Sequence, residues 1–312
     1  MWNWKSGGLF HNVANGSRMP PDLTQLQINA KDGLLGRLAV YRTCEAHKKT
    51  INSMVWNESG ELLLSGASDG YITITNPLKK QFNRFKTPHP SKIMCARFMP
   101  CEDNLVVTSS CHDGLMCFDL KDAVRNKIKT PILRVLTYEE TKQIVTVPTQ
   151  PKVFITCHTD TTVRLFDLRT RYNTELQDCV DNILIRLKYI PTAMSISPIS
   201  HNYIAIGDNE SSVKVFDRRY LTSEPVTSPV KVYYKPGLDI SNYVTSLAYD
   251  EHEEHILVNF ASEDLYLFDV AKDDGTTQYP TVRPESRSEA ENNAFWRTAR
   301  NENRIGTAFP SK

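Results

Sequence analysis

The chain has 312 residues and carries 37 Lys and Arg against 36 Asp and Glu, a formal net charge of +1. A nucleic-acid binder shows a basic surplus or a basic stripe; neither is evident, so no nucleic-acid partner is expected. No apolar run is long enough to cross a bilayer, and the start, Met1-Trp2-Asn3-Trp4-Lys5, lacks the apolar core of a signal peptide, so the sequence reads as soluble and intracellular with no membrane partner.

In chain order, residues 1–36 read as a partly disordered extension, and Arg37 to Thr43 as strand-like. A complete four-stranded unit follows over 47–86. Ile51 to Trp56 is an inner strand, Asn57-Glu58-Ser59-Gly60 a turn, and Glu61 to Gly66 the second strand. Asp69-Gly70 makes a tight hairpin because Gly tolerates positive φ, Tyr71 to Thr75 is the third strand, and the more polar Lys80 to Lys86 suits an outer one.

The third strand then recurs. Leu115 to Asp119, Val163 to Asp167, Val213 to Asp217 and Leu265 to Asp269 are short alternating segments ending in Phe-Asp. Each follows an acidic turn: Asp113-Gly114, Asp160-Thr161, Asp208-Asn209 and Glu263-Asp264. The Asp ends step by 48, 50 and 52 residues, and Asn76 extends the ladder by 43. Ankyrin and tetratricopeptide units are shorter and helical, whereas this pattern has period two and is rich in Val, Ile, Phe and Tyr. A single such sheet cannot bury both faces, so the repeats are expected to stack as blades of a β-propeller. Beyond about 271 the chain is polar and aperiodic, and 273–312 is expected to be disordered.

The seven cysteines, Cys44, Cys95, Cys101, Cys111, Cys117, Cys157 and Cys179, form no CxxC pair and read as reduced thiols packed in strands. Cys111-His112 and Cys157-His158 have the residue types of metal ligands. They occupy the same place in successive repeats, so repeat homology accounts for them, and no metal or other cofactor is expected.

On these residues the sequence resembles the WD-repeat (WD40) family. Repeats of that family usually begin with Gly-His and end with Trp-Asp; here Ala46-His47 and Pro88-His89 stand at the first place, and Phe replaces Trp in four repeats. The resemblance implies an all-β WD40 β-propeller over 37–272, with five recognisable blades where relatives have seven. It also implies a buried hydrogen-bonded network to which His47, Ser65 and Asp69 belong in the first repeat, and His89 and Asp113 in the second. His, Asp and Ser are also the residue types of a hydrolase triad, but no G-x-S-x-G elbow, phosphate loop or H-E-x-x-H motif accompanies them. No catalytic residue is assigned and the protein is read as a non-enzyme. Two more blades would need roughly 80–90 residues, which the tail does not supply. A truncated product, an open ring and a smaller closed ring all remain open; residues 37–43 stand where a propeller's closing strand would be.

Phe166-Asp167-Leu168-Arg169 and Phe216-Asp217-Arg218-Arg219 share the pattern Asp-x-Arg, so both arginines are expected on one face. The bland alternative makes each Arg a solvated residue or an internal partner for its Asp. The tandem pattern resembles the DCAF class, substrate receptors of cullin-four RING ubiquitin ligases. The runs Val55 to Glu61, Phe98 to Cys101, Val145 to Pro148 and Asp181 to Ile185 are similar to the branch containing the nuclear receptor interaction protein. The branch's acidic insertion, IQ-type motif and further C-terminal repeats have no counterpart here, and Leu34-Leu35-Gly36-Arg37-Leu38 is not an LxxLL helix, so calmodulin binding and receptor coactivation are not carried over.

The resemblance implies a receptor that binds the ligase adaptor through Arg169 and Arg219, with Asp167 and Asp217, and holds a protein substrate the sequence does not identify. A short helix around Leu9-Phe10-His11 and Leu23 to Ile28 would enter an adaptor groove. Localisation in the nucleus, the cytoplasm or both is implied. The alternative is a WD-repeat scaffold of a nuclear or cytoplasmic complex with no ubiquitin linkage.

Overall fold

A computed structural model describes residues 43–271, except 78, 80, 122–130, 137–138, 171–181, 222–227, 235–241 and 264, together with 296–298. The extension over 1–36, its expected helix and the strand expected over 37–42 lie outside the described residues, and Thr43 is in no strand. Of the tail over 273–312, only Trp296–Thr298 is described.

Among the described residues there are five four-stranded antiparallel sheets. The first holds β1 (Ile51–Trp56), β2 (Leu63–Ala67), β3 (Tyr71–Asn76) and β4 (Gln81–Lys86). The second holds β5 (Ile93–Met99), β6 (Glu102–Ser110), β7 (Leu115–Asp119) and β8 (Leu133–Val135). The third holds β9 (Thr141–Thr146), β10 (Val153–His158), β11 (Thr162–Asp167) and β12 (Ile183–Arg186), and the fourth β13 (Pro191–Ile196), β14 (Tyr203–Asp208), β15 (Ser212–Asp217) and β16 (Lys231–Tyr234). The fifth joins β17 (Val244–Tyr249), β18 (His255–Phe260) and β19 (Leu265–Asp269) to β20 (Trp296–Thr298), which pairs with β19 from within the segment expected to be disordered.

The strands of the first blade fall where the alternation places them, with one informative shift. The second strand starts at Leu63 rather than Glu61. Asn57 Oδ1 accepts the backbone N–H groups of Glu61 at 3.0 Å and Leu62 at 2.9 Å, so these two residues complete the turn. Gly70 has φ +75°, as the hairpin requires. The corresponding turn positions hold Gly114, Thr161 and Ser211, all with positive φ.

The core lies between blades. Leu64 and Ile72 of the first blade pack with Ile93, Ala96, Phe98 and Val106 of the second. Equivalent clusters join the second blade to the third, the third to the fourth, and the fourth to the fifth. Phe118, Phe166, Phe216 and Phe268, which precede the Asp ends, are all fully buried, the last three in the seam with the preceding blade. The Phe-Asp repeat thus records where each blade must meet its neighbour. Inner strands pack in the succession β1, β5, β9, β13, β17, and β17 makes no comparable contact with β1. Ile51, Met54 and Trp56 of β1 are correspondingly exposed.

Close approach of one blade's second strand to the next blade's inner strand fixes two glycines. A Cβ on Gly66 would lie 2.8 Å from Ile93 Cγ2, and one on Gly207 would lie 2.7 Å from Val244 Cβ and 3.1 Å from Leu247 Cδ2. The β-branched Val244 is stiff at χ1 and cannot turn away. Gly207→Ala is therefore expected to destabilise the protein by about 1–3 kcal/mol through overpacking, measured as a lower urea midpoint. A midpoint equal to wild type would mean the seam is looser than drawn.

Candidate functional site

The Asp that ends each third strand is a local device before it is anything else. Asp119, Asp167, Asp217 and Asp269 each accept, through Oδ1, the backbone N–H two residues on: Lys121 at 2.8 Å, Arg169 at 2.9 Å, Arg219 at 3.0 Å and Ala271 at 3.0 Å. This Asx-type turn stops the strand. Among these four turns, only those of the third and fourth blades have Arg as the second residue, and there the guanidinium folds back on the carboxylate.

The two forks share one geometry. Arg169 Nε donates to Asp167 Oδ1 at 2.9 Å and Nη2 to Oδ2 at 2.6 Å. Arg219 Nε donates to Asp217 Oδ1 at 3.0 Å and Nη2 to Oδ2 at 2.7 Å. The hydrogen bond from Arg169 holds the Asp167 carboxyl below its ordinary range, and that from Arg219 does the same for Asp217. Both pairs are ionised at neutral pH. Each Arg is thus an internal partner for its Asp, as the bland alternative has it. Yet the Arg169 side chain is 73% exposed and that of Arg219 53% exposed. A fork made through Nε and Nη2 leaves the Nη1 edge directed away from its own carboxylate. Both arginines follow third strands of adjacent blades, so they share one face. Arg218 is different: it is half-buried and donates through Nη1 to His201 O at 2.9 Å, fastening its own blade.

The His-centred sets are the other candidate chemistry. His47 Nε2 lies 2.8 Å from Ser65 Oγ and Nδ1 3.3 Å from Asp69 Oδ1. In the second blade His89 Nε2 lies 2.9 Å from Thr108 Oγ1 and Nδ1 3.3 Å from Asp113 Oδ2. The first set has the order of a hydrolase triad, but Ser65 is buried and its hydroxyl donates to Thr73 O at 3.3 Å. The second blade repeats the arrangement with a fully buried Thr108, where no substrate could reach. A nucleophile must be reachable, and these hydroxyls serve packing. Burial pushes the His89 imidazole down to about 4, against the pull of Asp113, so it is neutral at physiological pH.

Several partners escaped sequence reasoning. Asp69 accepts from Arg84 Nη2 at 2.7 Å and Asp113 from Arg134 Nη2 at 3.0 Å, both cations on fourth strands. In the third and fourth blades the cation moves to the third strand, as Arg164 at 2.5 Å from Asp160 and as Lys214 bonded to the buried Asp208. The register explains the exchange: Arg84 faces Thr73 and Arg134 faces Met116, residues at the same rung as Arg164 and Lys214. In the third blade His158 sits at the end of β10, bonded to Thr156 at 2.7 Å and Thr141 at 3.3 Å. Cys157 beside it is fully buried, and burial raises its thiol to about 12, so it packs as a thiol. Asp250, Glu254 and His255 on the β17–β18 turn bring donor atoms within 4.8 Å of one another, and nothing beyond that proximity marks them as an ion site. No helix among the described residues is long and apolar enough to cross a membrane.

Comparison with known proteins bears on the fold and the family. The model of the family described as WD domain, G-beta repeat matches residues 39–76, which include the first three strands of the first blade. Over 81% of its length the chain is 34% identical to DDB1- and CUL4-associated factor 6 of Mus musculus, and 33% identical to the Homo sapiens protein of that name. It is 23% identical over 77% of its length to WD and tetratricopeptide repeats protein 1 of Homo sapiens. The chain spans about 30% of the length of the first two relatives and 39% of the third.

Proposed function

The chain is a WD-repeat protein of the DCAF type, and from that premise we propose that it is a non-catalytic substrate receptor of a cullin-four RING ubiquitin ligase. The observation that carries this reading is the pair of Asp-x-Arg forks, identical in geometry and exposed at equivalent ends of adjacent blades. Arg is suited to such a role because its planar fork can hold one carboxylate and still present donors to a partner's carbonyls or acids. The relatives' printed name places them with DDB1 and CUL4, and the corresponding partner here is the DDB1-type adaptor. A target protein bound elsewhere on the blades is kept near the loaded ubiquitin enzyme, which raises the effective concentration of its lysines. Work in the nucleus, the cytoplasm or both follows from the same reading.

The test is binding of the purified chain to purified DDB1, with folding of each variant checked by circular dichroism. Arg169→Ala/Arg219→Ala is expected to weaken binding by roughly 100-fold, as loss of two interface arginines does. A double variant that binds like wild type removes the forks from the interface. A folded wild type that does not bind leaves the scaffold without ubiquitin linkage as the better account.

A further inference from the structure

Exposed apolar side chains gather on the face that carries the two forks. Strands alternate in direction within each blade, so the ends of the first and third strands share a face with the starts of the second and fourth. On the Asp167 and Asp217 face stand Tyr220, 75% exposed, and Ile199 of the β13–β14 turn, 61% exposed. Ile132 and Val230 are exposed there too, and they are repeat equivalents. Each precedes its blade's fourth strand and donates its N–H to the third strand, Ile132 to Cys117 O at 2.8 Å and Val230 to Val215 O at 2.7 Å. These two acceptors lie two residues before Asp119 and Asp217. Tyr220 also stands at the fork itself, its ring centroid 5.6 Å from Arg219 Cζ.

The forks themselves bring little net charge to this face. Each fork is a neutral pair, so it offers directional donors at short range and little long-range field. Exposed Tyr and Ile around such donors are what an interface centre contains: an aromatic anchor, an arginine and apolar surround. We propose that Tyr220, Ile199, Ile132 and Val230 complete the docking surface around Arg169 and Arg219, so that the adaptor is held by apolar burial around two directional arginine contacts. This rests on the adaptor reading and says what holds the adaptor. The occupant is a protein surface with apolar side chains and acceptors, continuous with the fork contacts.

The test measures DDB1 binding to the purified chain and to Tyr220→Ser/Ile199→Ser, with Leu136→Ser/Tyr243→Ser on the opposite face as control. All four residues are exposed, so the variants should fold, and thermal melts check this. The Tyr220/Ile199 variant is expected to bind roughly 10- to 30-fold more weakly, with the control unchanged. Affinity should shift by less than about threefold between about 50 and 500 mM salt, since screening acts on net charge. Loss of binding in the arginine variant with wild-type binding in the Tyr220/Ile199 variant overturns this inference and leaves the adaptor reading standing. A steep salt dependence overturns it as well. Absence of wild-type binding overturns both. A change in self-association alone, read by sedimentation, reassigns the patch to a second copy and likewise overturns it.

Discussion

Lys214→Met is expected to lower the stability of the chain by about 3–5 kcal/mol, the effect of removing one partner from a buried ion pair. The Lys214 side chain is 3% exposed and that of Asp208 1% exposed, so neither charge has water to return to. Asp208 keeps the backbone N–H groups of Glu210 and Ser212, both at 3.0 Å, and the Ser212 hydroxyl at 2.6 Å. Those donors do not balance a full negative charge in the seam between blades. Lys214 Nζ also lies 4.9 Å from the Tyr189 ring centroid, a contact Met would partly keep. The companion variant Lys214→Met/Asp208→Asn is expected to recover most of the loss, because a neutral amide retains the acceptor that the two N–H groups need. Urea unfolding of the three proteins side by side measures this. A Lys214→Met midpoint within error of wild type would show that the pair contributes nothing and that the seam admits water.

The blades were legible because each carries its own punctuation. Phe-Asp marks the end of a third strand, and in the third, fourth and fifth blades its Phe is buried in the seam with the preceding blade. Turn residues were legible for the same reason: Gly70 and Gly114 need positive φ. Thr161 and Ser211 adopt it without advertising it, since the surrounding hairpin imposes the conformation on them. The Asp-x-Arg pairs were visible as spacing, but spacing could not say whether the Arg turns inward or outward. The structure has it do both, one edge on Asp and the rest of the side chain in solvent.

The cations Arg84, Arg134, Arg164 and Lys214 could not be read, because their common feature is a rung shared across two strands rather than a place in the repeat. The role of His158 was hidden in the same way, and the sequence misplaced it. Cys157-His158 ends β10, level with Ser109-Ser110, whereas Cys111-His112 lies beyond β6, so the two Cys-His pairs are not repeat equivalents. His158 stands at the end of a second strand instead of before an inner one, and only the fold brings it to Thr156 and Thr141. The fourth strand of the fifth blade was unreadable for a different reason: β20 is separated from β19 by a long polar stretch with no alternation to betray a strand.

That hidden histidine and its counterpart in the second blade make stability fall on mild acidification. Burial lowers both His89 and His158 from the ordinary 6.5 to about 4. His89 faces Asp113 and, beyond it, Arg134; His158 faces Arg164 and Asp160. Above pH 6.5 each imidazole is neutral whether the chain is folded or not, and its contribution is fully present. Between 6.5 and 4 the unfolded chain takes up the proton and the folded chain does not, so each unit of acid favours unfolding; below 4 the loss levels off. At pH 5 each histidine has then withdrawn roughly 2 kcal/mol, about 4 kcal/mol for the pair. The lowered carboxyls Asp69 and Asp160 do not enter here, since they titrate below this window. Urea midpoints at pH 7.5 and pH 5 should therefore differ markedly, and His158→Gln, which keeps a donor and an acceptor for the two threonines, should remove about half of the difference. A midpoint that stays level down to pH 5 would mean that both rings take up their protons in the folded blades at the same pH as in the unfolded chain, with Asp113 and Asp160 balancing burial.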